Sequence, residues 1–326
     1  MPKVLGLGNA LVDIMTQLPN DGLLETLKLP KGSMQLVDEG FMRKAISFTR
    51  DMPQSLSAGG GAANTIHGLA NMDVATSFIG KIGDDVFGRA FKTSMEEVGI
   101  NPIMLKGKAE SGRTLALVST DSERTFAVYL GAALELTAVD LKPEMFEGFD
   151  YFHVEGYLVQ NHEMLLRALE IASAKGLQIS FDLASYNVVE ENRDFLNEIV
   201  KKYVTILFAN EDEAKAFTGK KPREAVEVLA EIVPIAVVKL GPSGSYIKRN
   251  SDFYEVGIID VSSIDTTGAG DLYASGFLYG LMKGLPLDKC GQIGAILSGH
   301  VIEVLGPKMD GERWTTIRRM VAEAET

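Results

Sequence analysis

The chain has 326 residues, 46% of them hydrophobic and 23% charged, which is typical of packed globular proteins and excludes a disordered chain. Its formal net charge of -12 argues against nucleic acid as a partner, because an acidic surface repels a phosphate backbone. This length predicts one large domain with a smaller element, or two domains.

The start of the chain and its cysteine content favour a cytoplasmic location. The sequence begins Met-Pro-Lys and has no basic start followed by an apolar stretch, so no signal peptide is expected. No apolar run approaches the ~20 residues of a membrane helix, so a membrane partner is not expected either. Cys290 is the single cysteine, which excludes an intrachain disulfide and a cysteine-based zinc site.

Short apolar runs alternate with helical patterns along the chain. The predicted strands are Val4–Gly8, Ala75–Ile79, Tyr151–Val154, Gln178–Asp182, Thr205–Ala209 and Ile235–Leu240. Helical patterns are found at Met164–Ala174, Phe195–Tyr203 and Arg223–Ile232. Near-continuous apolar strands separated by helices predict an α/β fold with a doubly wound, mostly parallel sheet.

Two segments, 14–38 and 109–131, depart from this alternation and predict a small β-rich lid. The first is polar and broken by prolines and glycines, and the second contains extended patterns at Arg113–Ser119 and Arg124–Leu130. The intervening Thr120-Asp121-Ser122-Glu123 is typical of a hairpin turn. The expected large domain comprises 1–13, 39–108 and 132–326, and the expected lid comprises 14–38 and 109–131.

Polar residues and glycines near the N-terminus suggest a site for a hydroxylated ligand. Asn9 and Asp13 follow the first predicted strand and can bond vicinal hydroxyls, for which a carboxylate is a strong acceptor. The glycines at 59–61 precede a helical pattern, where they either let the backbone approach a ligand closely or form a flexible turn.

A second group of polar residues, Asn210-Glu211-Asp212-Glu213, follows the strand predicted at 205–209. Ligands bind at the carboxyl ends of strands in open α/β sheets, and Mg²⁺ prefers carboxylates with retained waters. Alternatively, the same residues form an acidic first helical turn that satisfies the helix dipole.

The most informative string is Asp265-Thr266-Thr267-Gly268-Ala269-Gly270-Asp271. It follows an extended run, Val256–Val261, and opens a helical pattern. Small residues at a helix N-terminus leave backbone N–H groups free for an anion. An aspartate in that first turn can accept a proton from an attacking hydroxyl. A plain glycine turn with a helix-capping aspartate is the alternative.

These residues resemble the signatures of the PfkB family of carbohydrate and nucleoside kinases, which have the ribokinase-like fold. The string 265–271 is similar to the C-terminal signature of that family. The segment 59–88, from Gly-Gly-Gly-Ala-Ala-Asn-Thr to Asp-Asp-Val-Phe-Gly, is similar to its N-terminal signature. The two signatures occur in the family's order, and the resemblance extends from Gly8 to about Gly306.

The resemblance implies roles for individual residues of the acceptor side of the site. It implies that Asp271 is the catalytic base and that the amides of Gly268, Ala269 and Gly270 form an anion hole. It implies that the acceptor is bound by Asn9, Asp13, Gly59, Gly60 and Asn64.

The resemblance also implies a nucleotide and metal side. The residues implied in ATP binding are Asn210, Lys239, Gly241, Gly244, Thr267 and Ser298. Glu213 is implied in holding Mg²⁺ through water, and Asp265 in binding a monovalent cation such as K⁺. Local alternatives stay open: Lys239 as a surface charge, Ser298 as a helix-packing residue and Asp265 as a loop-closing carboxylate.

The implied function is transfer of the γ-phosphoryl group of ATP to a hydroxymethyl group of a small molecule. The motifs look more similar to adenosine kinases than to ribokinase or fructokinase, and a sugar kinase is the alternative. A non-catalytic nucleotide or sugar sensor is also open, although such a protein would be expected to lose Asp271 or Asp13. The resemblance leaves open whether the lid forms a homodimer or covers a monomer.

Overall fold

A computed structural model describes residues 2–121 and 123–326. The described strands are β1 Val4–Leu7, β2 Leu11–Gln17, β3 Met34–Leu36, β4 Gln54–Gly59, β5 Thr76–Ile82, β6 Asn101–Lys106, β7 Gly112–Val118, β8 Arg124–Tyr129, β9 Tyr151–Glu155, β10 Gln178–Asp182, β11 Ile206–Asn210, β12 Ile235–Lys239, β13 Ser245–Arg249 and β14 Asp252–Val256. The described helices are α1 Gly22–Leu27, α2 Glu39–Thr49, α3 Gly61–Asn71, α4 Val86–Glu97, α5 His162–Ala174, α6 Tyr186–Glu191, α7 Arg193–Tyr203, α8 Glu211–Thr218, α9 Pro222–Ala230, α10 Ala269–Met282, α11 Leu287–Val301 and α12 Gly311–Ala324.

The larger sheet has nine strands in the order β14-β13-β12-β11-β10-β9-β1-β5-β6. The seven strands from β12 to β6 are parallel, and the β13–β14 hairpin adds two antiparallel strands at one edge. The predicted doubly wound, mostly parallel α/β fold is confirmed. In this sheet β1 lies between β5 and β9. The chain first adds β5 and β6 on one side of β1 and later adds β9 to β14 on the other side. The strand order therefore reverses beside β1, where such sheets bind ligands.

Each face of this sheet is covered by helices, because alternate strand residues point to opposite sides. Val237 and Phe208 belong to the core that includes α3, α10 and α11. Val238 and Leu207, the adjacent residues, belong to the core that includes α5, α7 and α9. Because these strands are buried on both faces, their sequences are continuous apolar runs.

The second sheet has five strands in the order β3-β8-β7-β2-β4. It contains the expected lid segments, and it also takes in Leu11–Asp13 and all of Gln54–Gly59, which the sequence placed with the large domain. The division into a large domain and a lid stays a prediction. Ser122 of the predicted hairpin turn lies outside the described residues.

The prediction of an extended run over Val256–Val261 was wrong beyond its first residue. Of the run Val256–Val261, only Val256 lies in a strand, at the end of β14. The following residues form an unpaired loop in which Ile259 and Val261 pack close to Gly299 of α11. Their apolar side chains are thus explained by packing against a helix and not by strand pairing.

Candidate active site

The entrance of α10 is built as the sequence predicted for an anion-binding turn. Gly268 caps the helix with a φ of 78°, a left-handed conformation that favours glycine. A Cβ there would also lie 2.6 Å from the Cβ of Pro307. Ala269 and Gly270 open the helix. The Ala269 N–H donates to the Thr266 carbonyl at 3.2 Å, whereas the Gly268 and Gly270 N–H groups have no acceptor among the described residues. The turn can therefore present backbone donors to a phosphoryl group.

Asp271 lies in the first turn of α10 and is bonded to α3. Its Oδ2 accepts a hydrogen bond of 3.0 Å from Nδ2 of Asn64. The Thr65 hydroxyl donates to the backbone carbonyl of Asp271 at 3.2 Å. These contacts between two helices hold the carboxylate in a defined position at the anion-binding turn.

Burial raises the pKa of Asp271 from its ordinary 3.8 to about 7. The Asp182 and Glu155 carboxylates add to the rise, while the hydrogen bond from Asn64 and the charge of Lys239 oppose it. A carboxylate that titrates near neutral pH is well matched to accepting a proton from an alcohol as phosphoryl transfer proceeds.

The predicted acceptor residues come together beside the end of β1 and the start of β2. Asp13 lies on β2 next to Gly59 of β4, where any Cβ would collide with the Asp13 carboxylate. Gly60 has a φ of 97°, and a Cβ there would lie 2.5 Å from the carbonyl oxygen of Asn9. Both glycines are therefore required for this packing. Burial raises the pKa of Asp13 to about 6.

Glu155, at the end of β9, organises the loop after β1, which contains Asn9. No sequence pattern had pointed to this residue. Its two carboxylate oxygens accept from the backbone N–H of Asn9 at 2.8 Å and of Ala62 at 2.9 Å. Burial raises its pKa. The side chain joins the loop after β1 to the start of α3, and Glu155 is 146 residues from Asn9 and 93 from Ala62 in sequence, so no local pattern could reveal it.

Asn210 and Glu213 form a capping box at the start of α8. The Asn210 side chain accepts from the Glu213 N–H at 2.9 Å, while its backbone N–H and its amide each donate to Glu213 at 2.7 Å. Burial, followed by the nearby Asp182 carboxylate, raises the pKa of Glu213 to about 7. The alternative interpretation, an acidic first helical turn, is correct as geometry. It leaves a buried Glu213 carboxylate at the sheet edge.

Lys239, at the end of β12, faces the anion-binding turn. Its Nζ forms a 2.7 Å ion pair with Asp182, a residue that the sequence did not single out. A Cβ at Gly270 would lie 3.0 Å from that Nζ. Next to Asp182, Ala184 has a φ of 68°, an uncommon conformation for a residue with a Cβ. Lys239 is thus placed inward, as a cation beside the helix entrance.

A cavity of about 300 Å³ connects these groups. Its lining includes five predicted residues, Asn210, Glu213, Lys239, Gly270 and Asp271. A second cavity of about 450 Å³ is lined by Asn9, Leu134, Tyr157 and residues of the 156–162 turn. Tyr157 lines both cavities, so they adjoin at this residue.

The remaining predicted nucleotide residues lie outside the first cavity. Gly241 and Gly244 form the tight turn between β12 and β13, with φ angles of 52° and 89°. A Cβ at Gly244 would collide with the carbonyl of Val256, which explains that glycine structurally. Ser298 is half-buried on α11, near the loop after β14.

Asp265 is fully buried, and both of its carboxylate oxygens have partners. Oδ2 accepts from the Gly306 N–H at 2.6 Å, and Oδ1 accepts from the Thr267 N–H at 2.6 Å and from Arg124 of the lid strand β8. The same Arg124 nitrogen lies 2.5 Å from the Thr267 hydroxyl. Asp265 therefore closes its own loop, as the alternative interpretation expected, and joins that loop to the lid.

One face of the lid sheet carries the Asp13 side chain. Directly paired residues of a sheet share a face. Two neighbouring rows of directly paired residues run from β2 across β7 and β8 to β3. One row is Asp13, Thr114, Val128 and Leu36, and the other is Met15, Ala116, Phe126 and Met34. We call these eight residues the lid face. Of these eight residues Asp13 and Thr114 are polar and the other six are apolar, and across β4 the same two rows end in the polar Ser57 and Ser55.

Comparisons with known proteins show the family of this chain. The pfkB family carbohydrate kinase profile matches residues 41–311. A probable sugar kinase from Rhizobium etli CFN 42 has a solved structure with 30% identity and a TM-score of 0.87, covering 98% of both chains. The structure of adenosine kinase from Sinorhizobium meliloti has 32% identity and a TM-score of 0.86, covering 98% of this chain and 99% of the other. An adenosine kinase of Saccharomyces cerevisiae is 25% identical over 94% of this chain and 96% of its own.

No helix in the described part of the chain combines the length and the apolar character needed to cross a bilayer.

Proposed function

The chain belongs to the pfkB family of carbohydrate kinases, and on that basis we propose that it transfers the γ-phosphoryl group of ATP to a hydroxymethyl group of an adenosine-like nucleoside. Kinase activity toward a nucleoside or a sugar follows from the family and from its relatives. The choice of adenosine-like nucleosides, the metal and the residue roles are the proposed part.

The position of Asp271 carries the proposal. Its carboxylate lies in the first turn of α10, beside the amides of the anion-binding turn and hydrogen-bonded to Asn64. In the proposed reaction Asp271 takes the proton of the acceptor hydroxyl. The hydroxyl oxygen forms the new bond to the γ-phosphorus as the bond to the bridging oxygen breaks and ADP leaves. The Gly268 and Gly270 N–H groups donate to the phosphoryl oxygens as charge develops there, and the Ala269 N–H would join them on leaving the Thr266 carbonyl.

We assign the metal side of the site to Glu213, supported by Asn210. Two carboxylates, Glu213 and Asp182, lie close enough for Asp182 to raise the pKa of Glu213. Oxygen donors of this kind suit Mg²⁺ that keeps several waters. Magnesium bound with ATP supplies positive charge to the phosphate oxygens. Lys239 would add a fixed charge near the same oxygens, and Gly241, Gly244, Thr267 and Ser298 stay proposed nucleotide contacts.

The ion pair of Asp265 disfavours a monovalent cation at that carboxylate. Arg124 already places a positive charge on that carboxylate. A K⁺ ion would have to displace it or bind to neighbouring carbonyl groups. Turnover is therefore expected to be similar in potassium and in tetramethylammonium salts.

Two observations favour a nucleoside over a simple sugar. The acceptor residues Asn9 and Asp13 lie where a pentose could be held, and the cavity of about 450 Å³ begins at Asn9. That volume is within the roughly 300–1,000 Å³ of ligand pockets and exceeds the need of a pentose alone. The lid face also offers an apolar surface beside Asp13, which suits a heterocyclic base better than a polyol.

A sugar kinase of the ribokinase or fructokinase type is the second candidate. It is supported by the relative from Rhizobium etli, which is described as a probable sugar kinase. In that case the polyol would be held by Asn9, Asp13 and Asn64, and the lid face would only exclude water. A sensor is disfavoured because Asp271, Asp13 and Asn64 are all present and placed together.

The decisive experiment is a coupled ADP-release assay with ATP and magnesium. The acceptors are adenosine, inosine, cytidine, ribose, fructose and tagatose phosphates. We expect selective turnover of adenosine, with ribose at least about 100-fold lower in kcat/KM because binding of the base is lost. Selective turnover of a sugar would refute the nucleoside assignment and support the second candidate. Absence of turnover with every acceptor would contradict the proposed substrate classes.

A further inference from the structure

The loop after α11 brings a lysine into the acceptor site. The Gly306 N–H donates to Asp265, and Pro307 packs directly on Gly268 of the anion-binding turn. Both contacts hold the loop against the entrance of α10. Lys308, the next residue, is therefore placed by packing against that turn.

Lys308 determines which way the Asn64 amide faces. Nζ of Lys308 donates to Oδ1 of Asn64 at 3.2 Å, and Nδ2 of Asn64 donates to Asp271 at 3.0 Å. An ammonium group is only a donor and an ionised carboxylate only an acceptor. The amide oxygen must therefore face Lys308 and the amide nitrogen must face Asp271. A flipped amide would set two oxygens against each other and a nitrogen against an ammonium.

Lys308 also faces two carboxylates. The charges of Asp13 and Asp271 both favour its protonated form, while burial lowers its pKa to about 8. In return, Lys308 opposes the burial that raises the pKa of Asp13. His67 is the other titratable group that faces Lys308, and its pKa is lowered well below the usual range by burial, so that its ring is neutral.

The other ionisable groups around Asp271 leave a deficit of positive charge. Asp182 and Glu155 raise its pKa, and Lys239 lowers it from the phosphate side of the cleft. The phenol of Tyr157 also faces this carboxylate and is neutral. On the acceptor side, Lys308 is the cation that the described residues provide.

We propose that Lys308 is a positioning residue of the acceptor site, which orients the Asn64 amide toward Asp271 and supplies the charge that keeps Asp13 and Asp271 ionised together. The inference rests on the proposed function, in which Asp13 holds acceptor hydroxyls and Asp271 takes a proton. The sequence offers no local sign of this role, because Lys308 and Asn64 are 244 residues apart.

The first test is the pH dependence of kcat/KM in Lys308→Met and Lys308→Arg. Asp271 acts only when ionised, so activity falls as pH decreases through its pKa. Removing the cation raises that pKa, and the acid limb of the profile should move upward by about one pH unit. Near about pH 6.5 the Met variant should lose roughly 10-fold, with a smaller loss near about pH 9. In Lys308→Arg the acid limb should stay close to its wild-type pH.

Lys289→Met is the matched control. Lys289 is also half-buried, and it lies near the start of α11, roughly 18 Å along the helix from the end that leads to Lys308. The substitution makes the same change in net charge. Its profile should superimpose on that of the wild type. An equal shift in both Met variants would show an effect of net charge alone and would overturn the proposal.

A second measurement does not depend on turnover. In substrate-free protein labelled with ¹³C at aspartate carboxyls, the Asp271 signal is assigned by its absence in Asp271→Asn. We expect its midpoint to rise in Lys308→Met and to stay near the wild-type value in Lys308→Arg, with thermal unfolding confirming that each variant folds. An unchanged midpoint in Lys308→Met would overturn the proposal. A shifted midpoint in a protein that phosphorylates no nucleoside or sugar would instead contradict the proposed function.

Discussion

The raised pKa of Asp271, which suits the base proposed for this site, has a cost in stability. Its pKa rises from 3.8 in an ordinary aspartate to about 7 in the folded protein, chiefly through burial. The folded state therefore binds this proton more tightly than the unfolded state does. Its contribution to stability is fully present below about pH 4 and is lost as pH rises toward 7.

Replacing Asp271 by Asn should strongly lower turnover and stabilise the fold. Loss of the base should lower kcat by about 10²–10⁴-fold. The amide oxygen can still accept from Asn64, and the buried charge is removed. The melting temperature should therefore rise, and the rise should be larger near about pH 8 than near about pH 5. Steady-state kinetics and differential scanning fluorimetry at both pH values check this.

Asp51→Asn is the control for that comparison, because Asp51 is exposed at the end of α2. It should leave both kcat and the melting temperature near the wild-type values. Near-normal turnover in Asp271→Asn would remove Asp271 from the role of base. A melting temperature that falls equally at both pH values would show that its pKa is not raised.

The short strand β3 extends the lid face at one edge of the five-stranded sheet. Met34 and Leu36 are 56% and 62% exposed, although both are large and apolar. They pair with Phe126 and Val128 of β8 and so share a face with Asp13. Gln35, between them, points to the opposite side. The alternation leaves two apolar side chains exposed on the face of the sheet that carries Asp13.

The variant Met34→Ser/Leu36→Ser tests whether the lid face binds a base. Loss of two apolar contacts should raise KM for adenosine by about 10–100-fold, because burying each side chain is worth up to roughly 1.5–3 kcal/mol. KM for ATP should change less than about 2-fold, since the nucleotide residues lie on the large sheet. Initial-rate kinetics with both substrates varied measure the two constants.

Leu56→Ser is the matched control for the lid face. Leu56 is 57% exposed on the same sheet, but it pairs with Ile14 and so points to the face opposite Asp13. Its substitution should leave KM for adenosine near the wild-type value. Equal effects of the two substitutions would show that the lid is merely destabilised, and an unchanged KM in the double variant would exclude base contacts by β3.

On the scale of the whole molecule, the two sheets meet at the candidate site. Asp13, on the five-stranded sheet, and Asp271, on a helix of the nine-stranded sheet, both lie near Lys308. Arg124 of the lid contacts Asp265 in the anion-binding turn. A movement of one sheet relative to the other would therefore separate the acceptor groups from the base, which suits a site that assembles when substrate binds.

The lid also has two edge strands, β3 and β4, with unpaired backbone groups that favour association. We predict a homodimer that forms through this sheet. Sedimentation velocity over a range of micromolar concentrations should give a dimer mass for the wild type, and Leu56→Lys on β4 should shift the equilibrium toward monomer. A wild type that stays monomeric throughout would contradict the prediction.

Features that depend on neighbours in the chain were predictable. The parallel strands could be recognised because burial on both faces requires continuous apolar runs. The turn at 265–271 could be recognised because an anion-binding helix entrance needs small residues in a row, and the φ of 78° at Gly268 agrees with this. The prediction over Val256–Val261 failed because the same apolar run packs equally well as a loop against α11.

The sequence by itself therefore determined the fold class, the helix entrance with Asp271, and the glycines that let Asp13 and Asn9 pack closely. Only the tertiary structure decided that Glu155, Arg124 and Lys308 belong to the same site. Their contacts join residues between 93 and 244 positions apart. Hydrophobic periodicity and local motifs reflect interactions within a few residues, whereas these charges take their roles from partners that the sheet topology brings together.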